Sequence, residues 1–196
     1  MKAVTPPVPL PTRERLLDAA ADVLQADGWA ALTMGKLAAR AGVSRQTVYN
    51  ELGSKAELAE ALMLRETDRF VERVGGDVAA HPGDPVGGVT AAFRHTLEAA
   101  RENPMVEIAL GGSQGGRDDF LPLLTSRPEA VLDRAVEAVA ALFAGGYPEV
   151  ALTASEWAVA VETFVRLLLS YLVQPSGSVE QASGRMRWVI GRMLGR

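Results

Sequence analysis

The chain of 196 residues has no cysteine and two histidines, His81 and His95, so acid–base or nucleophilic catalysis would have to be built around one of these. Neither has the company it needs. His95 and Glu98 lie three residues apart on one helix face, a spacing that suits a metal, but no second His/Glu pair completes the ligand set. His81 falls in a Pro/Gly-rich stretch and reads as solvated, and Asp118-Asp119 beside Arg117 reads as a loop or helix cap. GGSQGG (111–116) lacks the preceding strand and following helix that a phosphate loop requires. No enzyme, cofactor or metal is expected. The densest polar set lies elsewhere, in VSRQTVYNELGSK (43–55), where Ser, Arg, Gln, Thr, Tyr and Asn fall within seven residues. That segment is too short to hold a helix alone and too polar to be core.

The elements that must position it are all helical. After a Pro-rich tail (1–11), Thr12 caps a helix to about Ala26, with Leu16, Leu17, Ala20, Val23 and Leu24 at helical spacing and Gly28 as the stop. Thr33 caps a second helix, MGKLAARA, closed by Gly42, and Ser44 caps the third, which ends near Gly53. Ser54 with Glu57 forms a capping box for a long fourth helix expected to stop at Gly75-Gly76. GGDVAAHPGDPVGG (75–88) reads as a turn-rich hinge. Further helices are expected at about 85–103, 104–111, 128–144, 153–173 and 178–194, with 111–127 as a long irregular connection. The fold class is all-α with about nine helices, organised as a flexible tail (1–11), an N-terminal three-helix unit (12–54), a connecting helix (55–75) and a C-terminal unit (76–196).

Spacing explains the short polar helix. Ala38, Gly42 and Val48 supply a small residue at a helix crossing, a left-handed turn and an apolar plug, the pattern of a helix-turn-helix. Val48 and Leu52 then face inward, Gln46, Thr47 and Asn50 face out, and Arg45 stands at the helix start, where recognition-helix side chains reach base edges. Net charge is −4, but 33–55 holds Lys36, Arg40, Arg45 and Lys55 against Glu51 alone, while 76–196 carries 10 basic and 14 acidic residues. A basic N-terminal patch on an acidic body fits a polyanion partner better than the sum does.

The run AADVLQADGWAALTMGKLAARAGVSRQTVYNELGSKAEL closely resembles the N-terminal domain of TetR-family transcriptional regulators. The resemblance covers about residues 12–73. It rests on Gly28-Trp29 after an Ala-Ala helix, the Thr33 cap, LAxxAGVS, a Tyr in the third helix, and GSKxxL opening the fourth. Asn50 and Leu52 depart from it, standing where the family often has an aromatic residue. The resemblance implies a homodimeric repressor that binds a double-stranded DNA operator and is released by a small molecule held in its C-terminal domain. It implies phosphate contacts for Thr33, Tyr49 and Lys55 and base contacts for Arg45, Gln46 and Thr47, with Ser44 and Asn50 at the same surface. Lys36, Arg40 and Arg65 read as solvated charge.

The C-terminal unit is read by pattern. In TASEWAVAVETFVRLLLSYLV, Trp157, Val161, Phe164, Leu168 and Tyr171 form one stripe and Val165, Leu169 and Leu172 another, so one face packs inward and one meets a partner. Together with Met186, Val189, Ile190 and Met193 of the last helix, Val161, Leu168 and Leu172 are the expected dimer surface. Ligand-lining candidates are Phe93, Leu97, Met105, Ile108, Phe120, Leu121, Leu124, Trp157 and Phe164, with His95, Arg94, Glu98 and Gln114 as polar handles. So apolar a set points to a lipophilic effector. VYNELGSK, ALMLRE and DFLPLLTSR also resemble actinobacterial regulators found beside alkane-hydroxylase genes, which makes long-chain fatty acids or acyl derivatives the first to test. The competing reading is a lipid-binding or scaffolding helical dimer without specific DNA binding. No signal peptide is expected at the N-terminus, the most apolar run is about half a membrane span, and a cysteine-free chain suits the cytoplasm.

Overall fold

The computed structural model describes residues 12–103 and 128–194, and every regular element in them is a helix. In chain order these are α1 (Thr12–Ala31), α2 (Met34–Ala41), α3 (Arg45–Leu52), α4 (Lys55–Ala80), α5 (Pro85–Arg101), α6 (Pro128–Gly146), α7 (Ala154–Val173) and α8 (Val179–Met193). Helix starts follow the polar caps: Thr33, Ser44, Ser54, Asp84, Thr153 and Ser178 each accept a hydrogen bond from a backbone N–H of the first turn. Ser54/Glu57, Thr153/Glu156 and Ser178/Gln181 close full capping boxes.

Apolar residues collect into two clusters. The first joins Leu16, Leu17, Ala20, Val23, Leu24 and Trp29 of α1 to Leu37 and Ala38 of α2, Val48 and Leu52 of α3, and Leu58 and Leu62 of α4. The second joins Val74 and Val78 of α4 to α5, α6, α7 and α8, with Phe93, Phe143, Tyr147, Trp157 and Phe164 at its centre. Its aromatic rings meet edge-on: the Phe93 and Phe164 centroids are 5.9 Å apart, and those of Phe143 and Phe164 6.1 Å.

Gly28 acts as the expected stop: the helical dihedrals of α1 break there (φ 77°, ψ 173°), and a further turn beyond the kink carries Trp29 into the first cluster. Two expectations change. Helix α4 does not stop at Gly75-Gly76 but continues to Ala80. Two helical glycines cost about 1 kcal/mol each relative to Ala, and burial of Val74 and Val78 on either side offsets this. The hinge shrinks to the turn His81–Asp84, and Gly87-Gly88 lie in the first turns of α5. Gly88 has a packing reason: a Cβ there would lie 1.8 Å from the hydroxyl of buried Tyr147. The helix expected at 104–111 lies outside the described residues.

Residue Asp77, buried on α4, ties the α4–α5 crossing. Arg94 donates to His95 Nε2 (2.9 Å), leaving Nδ1 to donate to the Asp77 carboxylate (2.7 Å). His81 Nδ1 donates to the Asp77 carbonyl (2.8 Å). Both histidines are therefore structural fasteners in the described residues; His81, expected to be solvated, is held by its own helix end.

Candidate nucleic-acid interface

Helices α2 and α3 are eight residues each, and a two-cap turn fixes their angle. Gly42 (φ 68°, ψ 34°) adopts the left-handed conformation after α2, and Val43 N–H donates to the Ala38 carbonyl (3.0 Å). Ser44 Oγ accepts from Thr47 N–H (3.0 Å) and lies 2.9 Å from Thr47 Oγ1. Ala38, Val48 and Leu52 are buried, so the opposite face of α3 is the outer one. Two arginines of α1 brace the unit: Arg13 donates to the Glu51 carbonyl and Arg15 to the Ala41 carbonyl (3.2 Å). Nothing in the local pattern of α1 marked them, because their acceptors are backbone groups far along the chain.

On the outer face, Ser44, Arg45, Gln46, Tyr49 and Asn50 are exposed and Thr47 is half-buried. Gln46 Nε2 donates to Asn50 Oδ1 (2.8 Å), which presents the two amides as one unit. Arg45 forms no ion pair among the described residues; its guanidinium lies against the first turn of α2 beside Gly35. Thr33, the α2 cap, is exposed, and its hydroxyl already accepts from Lys36 N–H (3.1 Å). Lys36 pairs with Asp27 (2.7 Å) and Arg40 with Asp22 (3.2 Å), so both are exposed but partnered.

Two basic residues stand differently from the sequence expectation. Lys55 is half-buried; its ammonium donates to the Trp29 carbonyl (3.0 Å) and lies 4.7 Å above the Trp29 ring. It thereby fastens the start of α4 to the end of α1, beside the surface where a phosphate contact was expected. Arg65 is not solvated charge: its side chain is 11% exposed and bridges α4 to α1 through Asp18 (2.9 Å) and the Leu17 carbonyl (3.0 Å). The Ser54/Glu57 capping box holds Glu57 below the usual carboxylate range through hydrogen bonds from Ser54 backbone and side chain.

In the C-terminal unit, an open apolar cavity of about 310 Å³ lies between α5, α6, α7 and α8. Trp157 and Phe164, two of the ligand-lining candidates, line it together with Phe143, Val161, Met186 and Ile190. Phe93 is wholly buried, and Leu97 lines a separate cavity of about 200 Å³ with Tyr171 and Val179. Met105, Ile108, Phe120, Leu121 and Leu124 lie outside the described residues. The expected dimer surface needs correction. Val161, Leu168, Met186 and Ile190 are all 8% exposed or less within one protomer, because the α7 stripe that carries Val161 and Leu168 faces α5, α6 and α8. Leu172 and Val189 are half-buried, Met193 is exposed, and the large apolar side chains on the outer faces are Val159, Leu169, Val173 and Trp188.

Comparison with known proteins follows the same division. The family model described as "Bacterial regulatory proteins, tetR family" matches residues 16–62, and "Bacterial Tetracyclin repressor, C-terminal domain" matches residues 84–192. The HTH-type transcriptional regulator AlkX of Mycobacterium tuberculosis is 34% identical over 163 residues, 83% of this chain and 75% of AlkX. The TetR family repressor AlkX from Dietzia, whose structure is described as implicated in biodegradation of n-alkanes, superposes with a TM-score of 0.77 at 25% identity, covering 93% of this chain and 95% of that one. A TetR-family regulator from Streptomyces coelicolor does so with a TM-score of 0.62 at 27% identity, covering 93% and 99%. A helix-turn-helix with an outward polar face, joined to a helical C-terminal unit and matched by both family models, belongs to the TetR family of transcriptional regulators.

Proposed function

We propose that this regulator is a repressor that binds a pseudo-palindromic DNA operator as a homodimer in the cytoplasm and is released by a lipophilic effector. The carrying observation is the outer face of α3, where Arg45, Gln46, Tyr49 and Asn50 stand exposed on a helix whose buried side chains are Val48 and Leu52. A helix of that length has no reason to keep such a face unless base edges and phosphates receive it. Thr33 and Tyr49 are assigned to phosphates, Arg45, Gln46 and Thr47 to bases, and Lys55 to a phosphate near its Trp29 perch.

For the effector, the support is the cavity walled by Phe143, Trp157 and Phe164, together with likeness to regulators named AlkX. Long-chain fatty acids or their acyl derivatives are the ligands to test. A gel-shift assay against the DNA upstream of the protein's own gene should give a specific complex that palmitate or its coenzyme A ester dissolves. A protein that retards all duplexes alike would refute operator recognition; a specific complex indifferent to both lipids would refute the effector class.

A further inference from the structure

We propose that Gly35 is a positioning residue for base recognition: lacking a side chain, it lets the Arg45 guanidinium lie back across the first turn of α2, and so sets which base pair Arg45 addresses. The inference rests on the DNA-binding reading above. A Cβ built on Gly35 would lie 2.8 Å from Arg45 Nη2, 3.0 Å from Nε and 3.1 Å from Cζ, so the space a side chain would fill is the space the guanidinium occupies. The three atoms nearest that Cβ all belong to Arg45. The fold itself does not ask for glycine here, because the backbone of Gly35 is helical and has no positive φ. Gly28, Gly42 and Gly53, the other glycines of residues 12–54, do have positive φ.

Charge gives a second reason to look for function at this contact. The first turn of α2 has no acidic residue, and a helix start carries partial positive charge. A guanidinium resting there gains nothing from α2 and forms no ion pair among the described residues. The arrangement becomes favourable once an acceptor arrives, such as the O6 and N7 of guanine.

Replacing Gly35 by Ala separates structure from function, because the two effects have opposite signs. Ala is the better helix former, and the displaced atoms are the free end of a flexible side chain, so thermal stability should stay equal or rise. A duplex selected by the parent full-length protein from a randomised pool serves as the probe, with affinity and single-base-pair substitutions read by fluorescence anisotropy. Gly35→Ala should lose affinity by a factor within about threefold of that for Arg45→Ala, and lose preference at the same base pair of each half-site. In the Arg45→Ala background it should change affinity by less than about twofold, since contacts shared by two residues are not additive. An equal loss in both backgrounds, or parental base preference in Gly35→Ala, would overturn the inference while leaving DNA binding intact. A parent that selects no sequence would sink both. In the free protein, the Arg45 Nε–Hε signal of an NMR spectrum should shift in Gly35→Ala; an unchanged signal also counts against the proposal.

Discussion

Arg45 is where one side chain separates a regulator from a solvated surface. Its forked guanidinium can bond guanine O6 and N7 together, which Lys or Gln cannot reproduce. Arg45→Ala should cost about 1–3 kcal/mol per half-site and relax preference at one base pair in each half. Because Arg45 lies off the buried Val48/Leu52 face, its melting temperature should match the parent. Unchanged affinity would pass base reading to Gln46, Thr47 and Asn50. Tyr147 is the opposite case, a residue whose polarity the fold does not use. Its hydroxyl is buried without a hydrogen-bond partner among the described residues, and burial, aided by the charges of Asp84, Glu149 and Asp77, pushes its pKa from 10.0 to about 12. The raised value means the folded state prefers the neutral phenol. The stability this confers is complete below pH 10 and is lost as pH rises through 10 to 12, where the unfolded chain ionises first. Tyr147→Phe should therefore flatten the decline in melting temperature over that window and hold or raise stability at neutral pH. A steeper decline in the variant would contradict this.

The elements show how far local signals reach. Three of the four N-terminal caps named from sequence, Thr33, Ser44 and Ser54, sit at helix starts, while Thr12 lies inside α1 as its first residue; a cap is decided by the few residues beside it. The glycine pairs were misread for the complementary reason: Gly75-Gly76 and Gly87-Gly88 look like breakers, and only the neighbours they pack against make them helical. Gly88→Ala tests that reading. The substitution gains about 1 kcal/mol of helix propensity but drives a methyl into the wholly buried Tyr147, at about 1–3 kcal/mol. Net destabilisation should appear in denaturant titrations and shrink in a Tyr147→Phe background, where the colliding oxygen is gone. If Gly88→Ala is stabilising, the glycine has no packing role. In the α3 unit the sequence was legible nearly residue by residue, whereas Arg13, Arg15 and Arg65 act across long chain separations that periodicity does not encode.

At the scale of the whole molecule, two outer helices leave Val159, Leu169, Val173, Trp188 and Met193 exposed, each at least 44% accessible. Apolar side chains gathered on neighbouring helices are a liability on a lone protomer. Light scattering should report twice 20.8 kDa, and Trp188→Glu should shift the population toward monomer while leaving the protomer's helicity unchanged. A dimer untouched by Trp188→Glu would move the shared surface elsewhere. Sequence drew its expected shared face partly from Val161, Leu168, Met186 and Ile190, which the protomer itself buries, since two apolar stripes on one helix cannot be told apart without the partner they pack on. The described chain is also spanned by a single element. Helix α4 is 26 residues, about 39 Å at 1.5 Å per residue, with its first turn at the foot of α3 and its last turns clasped to α5 by Asp77 and His95. It runs without a break through the expected hinge at Gly75-Gly76. A tilt of about 5° would carry its far end by roughly 3 Å. In the proposed dimer, two recognition helices that must match a groove repeat of about 34 Å would register a movement of that size as a change of gauge.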